Sequence, residues 1–411
     1  MNTSIGIERI GVVNFKMRVA FPLFGGASWS GGLNYLVNLF SALAESAPGA
    51  ITPIVFTGTD RSSEELAPLL PHLSEPPVRL ALWNAGSWTY KRRLFCGVVL
   101  QRDGLAEQAF RDANIDLAFQ HADLYGSRFG IPTLAWIADF QHRHLPHMFS
   151  KLNYLRRELG YHVLARSATQ ILVSSQDAAR DCKKFYPAAE HRISVLPFTA
   201  PVANVLNRHQ LEILLSKYRL PERFFFLPNQ FWKHKNHVAV VQALQIAKLQ
   251  GESLVVAATG NLKDPRHPNY PSSIIDQVKH YGLNDNFRYL GMIPREDIYP
   301  LMQASIGLIN PSLFEGWSTT VEEAKALGVP LILSDLRVHK EQAPTAYRYF
   351  NANDPSDLAV ALSQAWHELP PGPRPDAERA ALFQTQEKRE AFAHNFIFIA
   401  NKTVEMSNAN K

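Results

Sequence analysis

An α/β fold of two similar halves, each an open parallel sheet with helices on both sides, is predicted by three observations. Short apolar runs alternate with helical patterns from end to end of the chain, as buried parallel strands joined by crossover helices require. A Pro-marked stretch, RISVLPFTAPVANVL at 192–206, interrupts that alternation near the middle, after which it restarts. The 411 residues hold two or three domains at roughly 100–200 residues each, and two fits the single interruption.

In chain order, MRVAFPLF (17–24) reads as the first strand. A glycine-rich turn follows, then GGLNYLVNLFSALAES, in which Leu33, Leu36, Val37, Phe40 and Leu43 share one helical face. ITPIVFTG (51–58), IDLAFQHA (115–122), IPTLAWIAD (131–139) and TQILVSS (169–175) are the further strands of the first half. The boundary falls near Pro197 to Pro201. RFFFLPNQ (223–230), SLVVAATG (253–260), FRYLGMI (287–293), IGLINPS (306–312) and VPLILSD (329–335) are the strands of the second half, and the tail from Asp376 is helical in pattern. Open α/β sheets bind ligands beyond the carboxyl ends of their strands, so two of them leave a cleft where function is expected.

Composition narrows the class. Hydrophobic residues make up 46% and charged residues 19%, which excludes global disorder. The net charge of +5 is mild and lacks the dense Lys/Arg stripes of nucleic-acid binders; an anionic small molecule or an anionic membrane surface fits it. Cys96 and Cys182 are far apart without CxxC spacing, so neither a disulfide framework nor a zinc module is indicated. Glu8 and Arg9 spoil a signal-peptide core, and no uncharged run approaches the ~20 residues of a spanning helix. The expected setting is the cytoplasm, with peripheral association at the inner face of a membrane allowed.

Chemistry concentrates in NPSLFEGWSTTVEEAKALGVPLILSD (310–335). Here a strand ends, LFEGW forms a loop, and a helix starts around Ser318 to Thr320 with Val321, Ala324 and Leu327 facing inward. Glu315 therefore lies in the loop and Glu323 in the first helical turn, both able to face the cleft. The N–H groups of Ser318, Thr319 and Thr320 form a helix N-terminus suited to phosphate. Glu322 is assigned to a capping box with Thr319. In FFFLPNQFWKHKNHVAVVQAL, Lys235 stands just before a second helix, where an ammonium neutralises a diphosphate; a hydrated basic turn is the plain alternative.

Three more stretches draw notice. Gly25, Gly26, Gly31 and Gly32 permit close backbone approach, but their spacing is not GxGxxG, which disfavours a dehydrogenase. His142, His144 and His147 follow a strand end without the spacing of metal ligands, so no metal is expected. In WNAGSWTYKRRLF (83–95), aromatics stand beside Lys91, Arg92 and Arg93: a membrane or lipid-linked acceptor could bind there, and a solvated helix face with core aromatics is the plainer reading.

Glu315-x7-Glu323, with a Pro-Ser strand end before it and Ala-x3-Gly-x-Pro after it, resembles the signature of retaining glycosyltransferases of the GT-B fold, most like family 4. The resemblance implies two Rossmann-like domains facing each other: an acceptor-binding one at 1–198 and a nucleotide-sugar-binding one at 199–385, with a helix at 386–411 crossing back. It implies that Glu323 binds the nucleotide ribose, that Glu315 and Gly316 lie at the donor sugar, and that Lys235 clamps the phosphates. Gly31 and Gly32 match a Gly-Gly loop facing donor phosphates and acceptor. Two departures stand out. Gln230 occupies the place of the family's phosphate-binding Arg, for which Lys233 or His234 could substitute. Asp139 matches the Asp of a His-Asp pair whose His is replaced by Ala138; His142 or His144 could reach back, and Asp139 and His144 are the candidate catalytic residues on this side. The implied activity is metal- and cofactor-independent transfer of a sugar from a nucleotide-sugar donor, GDP-mannose ahead of UDP- and dTDP-sugars, to a hydroxyl of a glycan or glycolipid. A nucleotide-sugar epimerase or hydrolase, or a non-catalytic nucleotide-sugar-binding protein, would share the cleft.

Overall fold

The structure, a computed structural model, describes residues 16–23, 30–121 and 123–409. Gly25 and Gly26 lie outside the described residues. Seven parallel strands form the first sheet: β1 (Met17–Pro22), β2 (Ile51–Thr57), β3 (Val78–Arg79), β4 (Leu117–Gln120), β5 (Thr133–Ile137), β6 (Gln170–Val173) and β7 (Ile193–Val195), in the order β3-β2-β1-β4-β5-β6-β7. Six more form the second: β8 (Phe225–Leu227), β9 (Val256–Ala258), β10 (Phe287–Tyr289), β11 (Gly307–Asn310), β12 (Leu331–Ser334) and β13 (Arg348–Phe350), in the order β10-β9-β8-β11-β12-β13.

The apolar runs are continuous rather than alternating because the central strands are covered on both faces. β1 pairs with β2 from Met17↔Ile51 to Pro22↔Phe56, and with β4 through Val19↔Leu117 and Ala20↔Ala118. Val19 and Phe21 point into one core, with Leu36 and Phe40 of the Ser30–Ser46 helix; Ala20 enters the other, with Phe56 and Phe110. In each sheet the winding direction reverses beside the first strand, between β1 and β4 and between β8 and β11. At such a reversal the flanking crossover helices lie on opposite faces, which opens a crevice at the carboxyl ends.

Three strands lie outside the predicted set: β3, β7 and β13. They are edge or near-edge strands of two or three residues, too short to register a pattern, and β7 falls within the Pro-marked stretch. The chain then runs without regular structure to the Arg208–Lys217 helix, which Asn207 starts with a capping box to Gln210. The last helix, Pro375–Ala409, touches both halves. Near its start Glu378 accepts from Gln303 (3.0 Å), while Phe392, Phe396 and Ala400 complete the core of the first sheet and Arg389 pairs with Glu45 at 2.7 Å.

Candidate functional site

The site is built at the reversal point of the second sheet. After β8 the chain makes a tight turn, Lys233–Lys235, and passes through Asn236 in the left-handed region (φ 59°) into the His237–Leu249 helix. Asn236 tolerates that backbone because its side chain is tied down, donating to Pro311 O (3.1 Å) and Ala352 O (2.9 Å). Asp264 fixes the other side of the turn by accepting from Lys233 N (2.9 Å). Lys235 Nζ is thereby aimed at the loop after β11 and donates to Glu315 Oε1 at 2.6 Å. The two side chains are only 15% and 8% exposed. Glu315 Oε1 also accepts from Ser312 Oγ (2.7 Å), whose oxygen lies 2.7 Å from Asn310 Oδ1. An ammonium has three N–H donors, so the pair leaves Lys235 with capacity for a further anion.

The Thr319–Ala326 helix begins at the same crevice, with Val321, Ala324 and Leu327 buried as expected. Its cap is more elaborate than a capping box. Glu322 does not reach back to Thr319; it is buried and accepts from Lys325 Nζ (2.8 Å) and Gln342 Nε2 (3.0 Å), so its assignment as a cap is corrected. Gln342 performs that work from a distant segment, accepting from Ser318 N (3.1 Å) and donating to Ser318 O (2.7 Å). Ser318 is buried with its amide spent, which removes it from the expected phosphate cradle. Thr319 and Thr320 remain partly exposed in the first turn, where N–H groups have no acceptor within the helix.

Glu323 faces Arg295 and Tyr299. Burial pushes its carboxyl up to about 7 despite the opposing pull of the Arg295 guanidinium and the Tyr299 hydroxyl. Arg295 also reaches the first half, donating to Asn34 Oδ1 at 2.6 Å. Gly31 and Gly32 lie in the first turn of the Ser30–Ser46 helix that carries Asn34, so these two glycines lie on the helix that Arg295, the neighbour of Glu323, contacts; a side chain at Gly31 would meet open space.

The two halves touch at Gly316. A β-carbon there would lie 2.2 Å from Ala138 O and 3.0 Å from Asp139 Cβ, so only glycine lets the Glu315 loop close on the end of β5. Asp139 Oδ1 accepts from Gln141 N (2.8 Å) and Arg157 Nη2 (2.6 Å). Burial works to raise its carboxyl, but the Arg157 charge and these bonds prevail and hold it below the ordinary range. Arg266, from the loop after β9, crosses to Gln141 Oε1 (3.0 Å) and lies 4.7 Å over the Phe149 ring. His267 spans the same gap to Met148 O (3.2 Å).

The histidines divide. His142 is buried, its Nε2 3.2 Å from Glu158 Oε2. His144 lies at the cleft, its ring 5.0 Å from that of Phe314, with Nε2 2.6 Å from Asp181 Oδ2; this bond, against partial burial, raises its pKa. His234 does not supply a cation, because burial and the Lys235, Arg266 and Arg157 charges hold it neutral. Lys233 is exposed. Gln230 is partly buried and its Oε1 accepts from Asn261 N (2.8 Å). Among the described residues no group of three His, Cys, Asp or Glu side chains is disposed to hold a metal. Arg157, Arg266, Arg295 and Gln342 were not legible as site residues: their partners lie 18 to 261 positions away and no local pattern marks them.

Lys235, Glu315 and the start of the Thr319–Ala326 helix thus gather at one reversal point of the second sheet, and the loop that carries Glu315 meets the end of β5 at Ala138 and Asp139. Residues 216–371 match the family described as Glycosyl transferases group 1. The chain has the GT-B fold. It is similar to sucrose-phosphate synthase from Thermosynechococcus elongatus (TM-score 0.65, 18% identity, 96% of this chain and 98% of that one). It is also similar to Anabaena Alr3699/HepE in complex with UDP and glucose (TM-score 0.62, 14% identity, 96% and 98%). In sequence it is 23% identical over 232 residues to O-antigen chain mannosyltransferase B of Escherichia coli, covering 54% of this chain and 59% of that protein. The matched stretches span from 29% to 59% of the length of the curated relatives.

Proposed function

We propose that this GT-B chain is a retaining glycosyltransferase that moves a sugar from a nucleotide-sugar donor to a hydroxyl of a glycan or lipid-linked glycan in polysaccharide biosynthesis. The observation that carries the reading is the Lys235–Glu315 pair, partly buried at the reversal point beside the open end of the Thr319–Ala326 helix. Bond cleavage between sugar and diphosphate moves negative charge onto the diphosphate. Lys235 and the Thr319 and Thr320 amides meet that charge in a site shielded from water, where preorganised donors contribute most. Glu315, held by Lys235 and Ser312, accepts from donor-sugar hydroxyls. Glu323 accepts from the ribose hydroxyls in its ionised form. Asp139 and His144 line the opposing wall, where the acceptor hydroxyl approaches, and the leaving diphosphate takes its proton. Gln230 leaves the phosphate site one cation short of the family pattern, and Arg266, which forms no salt bridge among the described residues, supplies it.

The donor sugar in this reading is mannose, carried by GDP. Support comes from the relatives named O-antigen chain mannosyltransferase in Escherichia coli and Salmonella typhimurium. The chemistry assigned to these residues requires neither a metal nor another cofactor. Incubation with GDP-mannose and mannose-ended acceptors, with the anomeric configuration of the product read by NMR, tests the reading. Donor consumption without acceptor would make the protein a hydrolase or epimerase. Nucleotide binding without turnover across a broad acceptor panel would make it a binding protein, a reading favoured by Ala138, which presents no imidazole at the end of β5.

A further inference from the structure

The helix Trp88–Val99 presents an apolar stripe outward. Ser87 starts it by accepting from Tyr90 N, and its inner side is packed: Tyr90 and Arg93 are buried, and a β-carbon at Gly97 would fall 1.5 Å from Leu124 O. That contact fixes the rotation of the helix. On the opposite side Trp88 is 72% exposed, Phe95 58% and Val99 56%, at the i, i+7, i+11 spacing of a single face; Leu100 and Leu105 extend it. A soluble helix turns such a stripe inward.

Basic groups interleave with it. Lys91 and Arg92 lie exposed on the same face, and Arg92 sits 5.7 Å over the Trp88 ring. Beside the stripe is a cavity of about 530 Å³ whose rim includes Arg92, Arg102, Arg128, Leu100 and Leu105. Of these charges Arg102 is paired with Glu107, and Asp103 also lines the cavity; Arg92 and Arg128 are left without an acidic partner among the described residues. Asp103 and Asp123 are buried against Arg93, and Glu107 is buried between Arg102 and Arg111. Among the described residues Lys91, Arg92 and Arg128 form no salt bridge, and within 88–112 the exposed acid is Asp112.

We infer that this face is a membrane-docking surface with a binding site for the phosphate of an anionic phospholipid headgroup. The headgroup occupies the cavity among Arg92, Arg102 and Arg128, while Phe95, Val99, Leu100 and Leu105 enter the acyl region and Trp88 sits at the interface. An apolar stripe flanked by unpaired cations matches an anionic bilayer, which offers apolar depth and surface phosphate together. A protein partner of matching shape would need acids at the rim of an apolar knob. No helix among the described residues is long and apolar enough to cross a membrane, so the association is peripheral. The inference is independent of the transfer reaction.

The test is flotation of the full chain with vesicles of phosphatidylcholine alone and of an equimolar mixture with phosphatidylglycerol, at low and high salt. Binding to the mixed vesicles, weakened by salt, is expected. Lys91→Gln, Arg92→Gln and Arg128→Gln together should lower the partition coefficient about a hundredfold, at about fivefold per cation. Phe95→Ser with Leu100→Ser should abolish binding on both lipids. Trp emission should be quenched by brominated lipid, and Trp88→Phe should remove most of that quenching. Melting temperatures close to wild type would show that these surface variants fold. Equal binding by all variants would overturn the inference, as would wild-type chain that stays unbound. So would loss confined to Leu152→Ser, Leu155→Ser and Leu159→Ser, which alter the exposed stripe of another helix. A dimer in sedimentation that Phe95→Ser dissociates would assign the face to a second copy of the chain instead.

Discussion

Gly316→Ala tests whether the closed approach of the two domains is the reacting arrangement. The added β-carbon would lie 2.2 Å from Ala138 O and 3.0 Å from Asp139 Cβ, whereas such carbons essentially never sit within 3.0 Å of another heavy atom. The obstacle is a backbone carbonyl at the end of β5, which cannot swing aside as a long side chain would. The loop and the strand end must therefore part by about 0.8 Å or more at their point of contact. A displacement near 1 Å in a positioned site costs about 10²-fold in rate, ~2.7 kcal/mol of barrier. Nucleotide affinity should change little, since Lys235, Glu323 and the Thr319 helix all belong to the second domain. Single-turnover rates with saturating donor and acceptor, nucleotide titration calorimetry and a melting curve measure the three quantities separately. A variant with the wild-type rate and an unchanged melting temperature would refute the claim that catalysis uses this contact. Loss of nucleotide affinity equal to the loss in rate would place Gly316 at the donor itself.

Four further outcomes are expected. Lys235→Ala should lower the single-turnover rate 10²–10³-fold; because it also strands the Glu315 carboxylate, adding Glu315→Gln should restore stability but not rate, as melting and quench-flow measurements would show. Glu323, with its carboxyl raised to about 7, keeps in the folded chain a proton that the unfolded chain loses at ordinary carboxylate pH. Stability should therefore fall as pH rises from the ordinary carboxylate range to about 7, nucleotide affinity should rise through about 7, and Glu323→Gln should flatten both profiles. Arg266→Gln should weaken nucleoside diphosphate binding about 10- to 100-fold while leaving free nucleoside binding intact, a difference that paired titrations resolve. Turnover should persist in EDTA; loss of rate restored by an added divalent metal would contradict the mechanism.

The sequence by itself determined the architecture and the positions of the principal groups. Apolar runs bounded by helical patterns mark strands covered on both faces, because a residue's burial on a doubly covered sheet does not depend on which side it points to. The interval between Glu315 and Glu323 places one carboxylate in a loop and the other on a helix through helical geometry alone, and Lys235 is set before a helix by the same local logic. Tertiary structure alone decided which groups these residues meet. Lys235 and Glu315 are 80 positions apart, Ser318 and Gln342 24, Arg266 and Gln141 125. Local pattern favoured Glu322 as a cap, but Gln342, delivered by a separate segment, satisfies the Ser318 amide instead and leaves Glu322 to Lys325. His142 and His144 are two positions apart in the chain, yet one pairs with Glu158 and the other with Asp181, carboxylates from two different helices. Periodicity reports which side of an element is buried; the choice of hydrogen-bonding partner depends on reach and charge across crossover connections, which no local window contains.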